Sequence, residues 1–191
     1  VITISGYADK EILEGAVALC GEYEKVFSRT VKGSDVWRIN HGEGCPVQVC
    51  DETAELLTIA LEVCEKSGGA LDITIAPASD LWDFKSEQPK IPDRDQLERA
   101  AKLVDYTKLK LEGDVVTMPA GMAIDLGAVA KGYIADKAAE YLKEQGVTRA
   151  ILNLGGNVVA LGSKTDGREW SIGIQDPEKE NGKSGYSVMV A

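Results

Sequence analysis

The stretch of residues 123–162, AIDLGAVAKGYIADKAAEYLKEQGVTRAILNLGGNVVALG, decides the fold. The short apolar run at 123–126 predicts a strand, and Gly127 ends it. A helix is predicted over 128–145, and Gly146 stops it. Two further strands are predicted on either side of the glycine pair at 155–156, which is typical of a hairpin. A strand, a helix and a hairpin in one run indicate a mixed fold.

More hairpins follow from the rest of the second half. Apolar residues on both sides of Glu112-Gly113-Asp114 predict one of them, and alternation at 170–174 and 186–190 predicts two more strands. Strands and helices alternate irregularly. This pattern favours an α+β fold with antiparallel sheet over a doubly wound parallel fold.

The first half is predicted to contain two long helices. Asp9 begins one that runs to about Phe27, with apolar residues along one side. Asp51 caps the other, which ends at the glycine pair 68–69. Such helices can cover the faces of the predicted sheets.

Shorter elements fill the remaining parts of the chain. Ser34 and Asp93 each cap a short helix, the second with Gln96 three residues later. Residues 71–75 predict a strand, and residues 77–84 predict irregular structure.

Composition limits the function classes. The 191 residues, 44% of them hydrophobic, suffice for one large domain or two small lobes. The net charge is −10, from 21 basic and 31 acidic residues. This charge disfavours nucleic acid and anionic membranes as partners, because both attract clustered Lys and Arg. It does not exclude a small anionic ligand, since one lysine or one helix N-terminus attracts an anion locally.

Metal-thiolate and serine-hydrolase chemistry find little support. The four cysteines form no Cys-x-x-Cys pair, and His41 is the one histidine. These features disfavour a zinc site. They also disfavour a Ser-His-Asp hydrolase, since no serine lies in a nucleophile-elbow pattern.

The best candidate site is residues 124–133, IDLGAVAKGY. Asp125 ends the predicted strand, Gly127 permits a tight turn, and Lys131 lies in the first turn of the predicted helix. Backbone N–H groups and one ammonium in this arrangement suit a pyrophosphate. The segment is not a P-loop, because Tyr133 stands where lysine is required, and no Rossmann glycine fingerprint occurs. The alternative is an ordinary strand–turn–helix with a salt-bridged Asp125 and a solvated Lys131.

Two further segments are weaker candidates. Residues 68–77, GGALDITIAP, place small residues, a carboxylate and a hydroxyl together. Residues 153–157, NLGGN, allow close approach to the backbone at paired glycines. Each segment alone is equally typical of a helix end or of a glycine-rich hairpin.

Together, five segments resemble the FAD:protein FMN transferases of the ApbE family. They are FSRTVKGSDVWRIN at 27–40, GGALDITIAPASDLWDF at 68–84, IDLGAVAKGYIADKAAEYLKEQGV at 124–147, ILNLGGNVVALG at 151–162 and WSIGIQDP at 170–177. The resemblance covers essentially all of residues 1–191, which are expected to form one flavin transferase domain that lacks the family's C-terminal third.

The resemblance implies a fold and a reaction. The fold is a T-fold-like, two-lobed α+β architecture with antiparallel sheets, flanking helices and a nucleotide cleft between the lobes. The reaction is the Mg²⁺-dependent transfer of FMN from FAD to a Thr or Ser hydroxyl of an acceptor protein, with release of AMP. Two alternatives stay open: a non-catalytic FAD-binding module, and a pyrophosphatase that splits FAD into FMN and AMP.

Site residues follow from the matched positions. The residues expected to bind FAD are Ala70, Leu71, Asp72, Asp125, Lys131 and Thr30. The carbonyl of Ala128 is expected to bind the metal ion. Thr30 stands where many members carry a tyrosine against the ligand, so this stacking contact is expected to be lost.

Other departures concern the rest of the site. Ala76, Ala78, Ser79 and Asp80 replace the family's usual Gly-Pro-Leu-x-Asn run. The catalytic residues and the strong Mg²⁺ ligands are expected beyond Ala191. The resemblance also implies a lipid anchor upstream of Val1 and a location on the extracytoplasmic face of a bacterial membrane.

Overall fold

The computed structural model describes residues 2–82, 91–176, 178 and 184–190. The chain divides into two compact units. The terminal unit comprises Val1–Glu22 and Lys131–Ala191, and the central unit comprises Tyr23–Ala130. No helix in the described parts of the chain is long and apolar enough to cross a membrane.

The terminal unit contains a three-stranded antiparallel sheet and helices. The sheet is formed by β1 (Ile2–Gly6), β5 (Ala150–Leu154) and β6 (Asn157–Leu161), in the order β1-β5-β6. The predicted hairpin around residues 155–156 is thereby confirmed. Helices α1 (Lys10–Phe27) and α6 (Ala130–Glu144) contribute their inward residues to this unit.

Burial in this unit follows the two periodicities of the sequence. Along β5, alternate residues are buried, so Ala150, Leu152 and Leu154 share one face. Residues of α1 and α6 at helical spacing, Ala16, Cys20, Ala135, Ala138, Ala139 and Leu142, belong to the same buried cluster. The many alanines permit helices to pack closely on the sheet.

A second pair of strands completes the terminal unit. Strands β7 (Trp170–Gln175) and β8 (Ser184–Val190) pair antiparallel. The indole Nε1 of Trp170 donates a hydrogen bond to the carbonyl of Gly162 at 2.7 Å. The two strands predicted at 170–174 and 186–190 are confirmed.

The central unit combines helices with a small sheet. The helices are α2 (Asp35–Asn40), α3 (Asp51–Lys66), α4 (Ala76–Ser79) and α5 (Arg94–Ala101), with a 3₁₀ turn at Tyr106–Lys108. Strands β2 (Val47–Gln48), β4 (Val115–Thr117) and β3 (Lys110–Glu112) pair antiparallel in that order. The expected α+β architecture with antiparallel sheets and flanking helices is confirmed, and a nucleotide cleft between lobes stays a prediction.

Two of the predicted strands are wrong. Residues 71–75 form bends and turns, because Asp72 and Thr74 bind backbone and each other in place of a strand partner. Residues 123–126 contribute only an isolated parallel bridge between Ala123 and Ile75. The apolar residues of both segments reflect burial at Ile73 and Ile124 rather than pairing of strands in a sheet.

Helix starts are mostly as predicted. Ser34 and Asp93 accept hydrogen bonds from the N–H groups of residues 37 and 96, so both caps are confirmed. Asp51 is not a cap, because α3 begins there and Cys50 occupies the cap position. Helix α6 begins at Ala130, two residues later than predicted, because residues 127–129 form a turn.

The prediction of irregular structure at 77–84 was partly wrong. Residues 76–79 form α4, with Pro77 in its first turn, where proline needs no hydrogen-bond partner for its nitrogen. Residues 83 and 84 lie outside the described residues.

Candidate nucleotide site

The candidate segment 124–127 is bound to the backbone around Ile73. The Asp125 N–H donates to the Ile73 carbonyl at 2.8 Å, next to the bridge between Ile75 and Ala123. Two segments resemble the family's FAD-binding motifs, 70–72 and 124–131. The backbone just after the first segment therefore lies beside the start of the second.

Asn40 supplies the other partner of this segment. Its side-chain Nδ2 donates to the Ile124 carbonyl at 2.9 Å, and its Oδ1 accepts the Ile124 N–H at 2.7 Å. Ile124 is fully buried, so water cannot replace these bonds. Asn40 thus acts as a one-residue strand partner and fixes the backbone immediately before Asp125.

The Asp125 carboxylate has a defined orientation. Its Oδ1 accepts the Gly127 N–H at 2.8 Å, and its Oδ2 lies 3.0 Å from Nε of Arg29. A Cβ at position 127 would lie 3.0 Å from Oδ1, so glycine permits the carboxylate to bend over the turn. The salt bridge proposed as the alternative reading of Asp125 is therefore present, and Arg29 is its partner.

Arg29 also contacts a second carboxylate. Its NH1 atom lies 2.6 Å from Oδ1 of Asp80, which follows α4 directly. The side chains of Arg29, Asp80 and Asp125 are 32%, 54% and 31% exposed, so solvent screens both pairs. A ligand can reach all three groups.

Thr30 lies in the loop that carries Arg29. The loop is organised by Ser28, whose hydroxyl accepts the N–H groups of Thr30 and Val31 at 3.3 Å and lies 3.1 Å from the Thr30 hydroxyl. The Thr30 side chain is exposed and small. It offers a hydroxyl where the family often has an aromatic ring.

Asp72 is strongly engaged within the protein. Its Oδ1 accepts the Thr74 N–H at 2.8 Å and the Thr74 hydroxyl at 2.6 Å, and its Oδ2 accepts the Tyr106 N–H at 3.0 Å. The buried Thr74 hydroxyl accepts the Asp105 N–H at 2.8 Å in turn. Asp72 therefore joins its own turn to the 3₁₀ turn, and its contact with FAD stays a prediction.

The neighbours of Asp72 differ in exposure. Ala70 is exposed and Leu71 is half-buried, so both are accessible from solvent. The carboxylate of Asp72 already accepts three hydrogen bonds. A ligand would meet this segment more readily through its backbone and small side chains.

The turn before α6 pairs several of its own N–H groups internally, and an anion site there stays a prediction. The Val129 and Ala130 N–H groups donate to the Leu126 carbonyl at 3.0 and 2.8 Å. Ala128 is exposed in the turn, and Lys131 is exposed in the first turn of α6, as predicted. The Lys131 ammonium group thus presents positive charge to solvent beside the start of α6.

Metal ligands are sparse in the described part of the chain. No group of three or more His, Cys, Asp or Glu side chains that could hold a metal ion occurs among the described residues. The carbonyl of the exposed residue Ala128 is an oxygen donor of the kind Mg²⁺ accepts, and substrate phosphates and water commonly fill other positions. The described residues offer this single oxygen of the expected metal site, so a Mg²⁺ site stays a prediction.

Asp35 is a buried carboxylate in the central unit. Burial alone would raise its pKa, but hydrogen bonds from the Cys50 N–H, the Thr53 hydroxyl and Arg38 lower the pKa below its usual value. Asp35 accepts a hydrogen bond from the N–H of Cys50, the residue before α3, at 2.8 Å. This bond stabilises the start of α3, where a cap by Asp51 was predicted.

Three of the four cysteine thiols lie in surroundings that favour the protonated form. Burial raises the pKa of the Cys20, Cys50 and Cys64 thiols, and all four cysteines are free. Elevated thiol pKa values disfavour the thiolate, which is the nucleophilic form.

Sequence reasoning did not single out Arg29 and Asn40. Both residues lie in the segment FSRTVKGSDVWRIN, whose family resemblance was the one available signal. Their partners, Asp125 and Ile124, are distant in sequence. The helices and antiparallel sheets define an α+β protein, in which a phosphate site at the Gly127 turn and Lys131 stays a prediction.

The chain belongs to the ApbE family, whose model matches residues 1–191. It is 34% identical to a FAD:protein FMN transferase of Treponema pallidum (strain Nichols), with 93% of this chain and 54% of the relative covered. A FAD:protein FMN transferase of Klebsiella pneumoniae (strain 342) is 33% identical, with coverages of 92% and 55%. The chain spans about half the length of these curated relatives.

Solved structures show the same fold. The ApbE protein from Thermotoga maritima matches with a TM-score of 0.87 at 28% identity, over 99% of this chain and 63% of that one. The apo flavinyl transferase ApbE from Pseudomonas stutzeri matches with a TM-score of 0.84 at 26% identity, over 99% and 61%. These likenesses agree with the α+β architecture.

Proposed function

We propose that the protein containing this chain is an FAD:protein FMN transferase. It transfers FMN from FAD to a Thr or Ser hydroxyl of an acceptor protein, with Mg²⁺ as cofactor and AMP as the second product. Family membership and the names of the relatives support this function. The structural observation that carries it is the fixed Asp125 carboxylate on a glycine turn, five residues before the start of α6, whose second residue is the exposed Lys131.

Each part of this arrangement has a role in the proposal. The turn and the N-terminus of α6 bind the FAD pyrophosphate, and Lys131 donates a charge-assisted hydrogen bond to its oxygens. Asp125 accepts from a hydroxyl or N–H group of FAD. Ala70, Leu71 and Asp72 contact the ligand beside Ile73, whose carbonyl binds the Asp125 N–H. Thr30 offers a further hydroxyl.

The proposed reaction is a single phosphoryl displacement. The acceptor hydroxyl oxygen forms a bond to the FMN phosphorus, and the bond from that phosphorus to the AMP oxygen breaks. The hydroxyl proton leaves to solvent or to a base outside the described residues. The Ala128 carbonyl would help to hold Mg²⁺, which would supply neutralisation of the phosphate charge. The protein's own groups bind and orient the pyrophosphate.

The first test separates this function from its two alternatives. The whole gene product is incubated with FAD and a Thr-containing acceptor protein, and mass spectrometry and nucleotide analysis identify the products. We expect AMP together with FMN bound to the acceptor, with loss of both in EDTA. Binding of FAD without AMP would indicate a binding module, and AMP with free FMN would indicate a pyrophosphatase. Transfer that persists in EDTA would contradict the role of Mg²⁺.

The second test concerns the pyrophosphate. Lys131→Ala should weaken FAD binding by about one to two decades, because a hydrogen bond to a charged group is lost. Thermal stability should stay nearly unchanged, since Lys131 is exposed. Lys143→Ala, at the other end of α6, is the matched control and should bind FAD normally. Equal FAD affinity in both variants would contradict a pyrophosphate site at this turn.

The acceptor and the location belong to the same proposal. The proposed partner is a protein with a target Thr or Ser, and the proposed location is the extracytoplasmic face of a bacterial membrane, through a lipid anchor. Family membership is their support. Fractionation of cells that express the whole gene product, followed by mass spectrometry of its N-terminus, tests the location and the anchor.

A further inference from the structure

We infer that Arg29 is a positioning residue for FAD, which holds the Asp125 carboxylate in the orientation that meets the ligand. The inference rests on the proposed function, in which Asp125 contacts FAD. It concerns a residue to which the matched motifs assign no role.

The carboxylate of Asp125 is fixed from two directions. The Gly127 N–H binds Oδ1 at 2.8 Å, and Arg29 Nε lies 3.0 Å from Oδ2. The terminal torsion of an aspartate is broad when nothing constrains it. Of these two donors, only Arg29 is a side chain, so it is the one that substitution can remove without altering the turn.

Arg29 is itself held in place. Its NH1 atom lies 2.6 Å from Oδ1 of Asp80, while its Nε faces Asp125. The guanidinium is planar and rigid, so fixing one edge against Asp80 fixes the direction of Nε. A lysine at this position would keep the charge but lose this two-sided geometry.

The sequence around these residues supports the assignment. Asp80 lies in the run where this chain departs from the family's usual Gly-Pro-Leu-x-Asn pattern, and it provides the anchor for Arg29. Arg29 directly precedes Thr30, which stands where an aromatic residue is common. Arg29 contacts Asp80 and Asp125 together, so the acid assigned to ligand binding is held by an ion pair.

A double-mutant cycle tests the inference. FAD affinity is measured by fluorescence quenching for the whole gene product and for its Arg29→Gln, Arg29→Lys, Asp125→Asn and Arg29→Gln/Asp125→Asn variants. Arg94→Gln is the matched control, since Arg94 is exposed and pairs with Glu98 on α5. Thermal unfolding of every variant is recorded in parallel.

The expected result is a graded loss that depends on Asp125. Arg29→Gln should weaken FAD binding by about tenfold and Arg29→Lys by about threefold, with little change in melting temperature. In the Asp125→Asn background, Arg29→Gln should have no further effect on affinity, because Arg29 acts through that carboxylate. Arg94→Gln should bind FAD like the unsubstituted protein.

Three results would overturn the inference. Unchanged FAD affinity in Arg29→Gln would remove any role in binding. A full further loss in the Asp125→Asn background would show that Arg29 contacts FAD itself. If the unsubstituted protein binds no FAD, the proposed function fails and the inference fails with it.

Discussion

The helix–sheet layer of the terminal unit and the segment 124–127 of the central unit are ordered by different forces. In the layer, Leu152 and its neighbours on β5 are buried against apolar residues of α1 and α6. In the segment, the backbone is held by polar side chains, with Asn40 on Ile124 and Arg29 on Asp125. Apolar burial tolerates side chains of similar size. A polar clamp, meaning a polar side chain such as Asn40 or Arg29 that binds a distant segment, requires particular atoms at hydrogen-bonding distance. The candidate site lies in the region of clamps.

The largest expected effect lies in the apolar layer. Leu152→Ala should lower the free energy of unfolding by about 2–5 kcal/mol, because it removes a fully buried side chain and leaves a cavity. Chemical denaturation measures the change. The matched control is Ile151→Ala on the same strand, whose side chain is only half-buried and which should cost clearly less. Equal losses would contradict the assignment of one buried face to β5.

The polar clamp should give the next largest effect. Asn40→Ala removes two hydrogen bonds from the buried Ile124 backbone, so it should cost about 1–3 kcal/mol of stability. It should also weaken FAD binding, since Asp125 follows Ile124 directly. Denaturation and FAD titration measure the two effects.

A matched asparagine sharpens this test. Asn153 binds one backbone group, the exposed Gly156 N–H at 2.8 Å, so Asn153→Ala should cost less than Asn40→Ala. If both variants lose the same stability, burial of the clamp contributes nothing. Asn40→Ala could lower the melting temperature while the folded variant binds FAD with unchanged affinity. In that case the two hydrogen bonds of Asn40 do not position Asp125.

The same contrast explains what the sequence could predict. The β5–β6 hairpin, α6 and the Ser34 and Asp93 caps depend on local periodicity and on neighbours within a few residues, so they were predictable. The interaction of Asn40 with Ile124 joins residues 84 positions apart, and no local pattern indicates it. Residues 71–75 are an example of a prediction that fails for this reason. Their apolar residues predicted a strand, but Asp72 forms a turn there.

The candidate site divides in the same way. Lys131 at the start of α6 and the turn at Gly127 follow from local glycine and helix signals. The partner of Asp125 did not follow, since a salt bridge was only the alternative interpretation of this residue and Arg29 was not identifiable as the partner. Motif resemblance selects the residues that bear chemistry, and the three-dimensional structure shows which side chains hold them.

The smallest expected effect is the pH dependence of stability at Asp35, which is another polar clamp. Asp35 accepts hydrogen bonds from the Cys50 N–H and the Thr53 hydroxyl, and its pKa in the folded protein is lowered from the usual 3.8. A lowered pKa in the folded state stabilises the protein above the unfolded-state pKa, and this stability is lost as the pH falls through the folded-state pKa.

Asp35→Asn should therefore be less stable than the unsubstituted protein at pH 7, and the difference should shrink as the pH falls below about 4. Melting temperatures between pH 7 and pH 3 measure it, with the exposed Asp136→Asn of α6 as control. A difference that stays constant across this range would show that the Asp35 carboxylate does not stabilise the start of α3 through its charge.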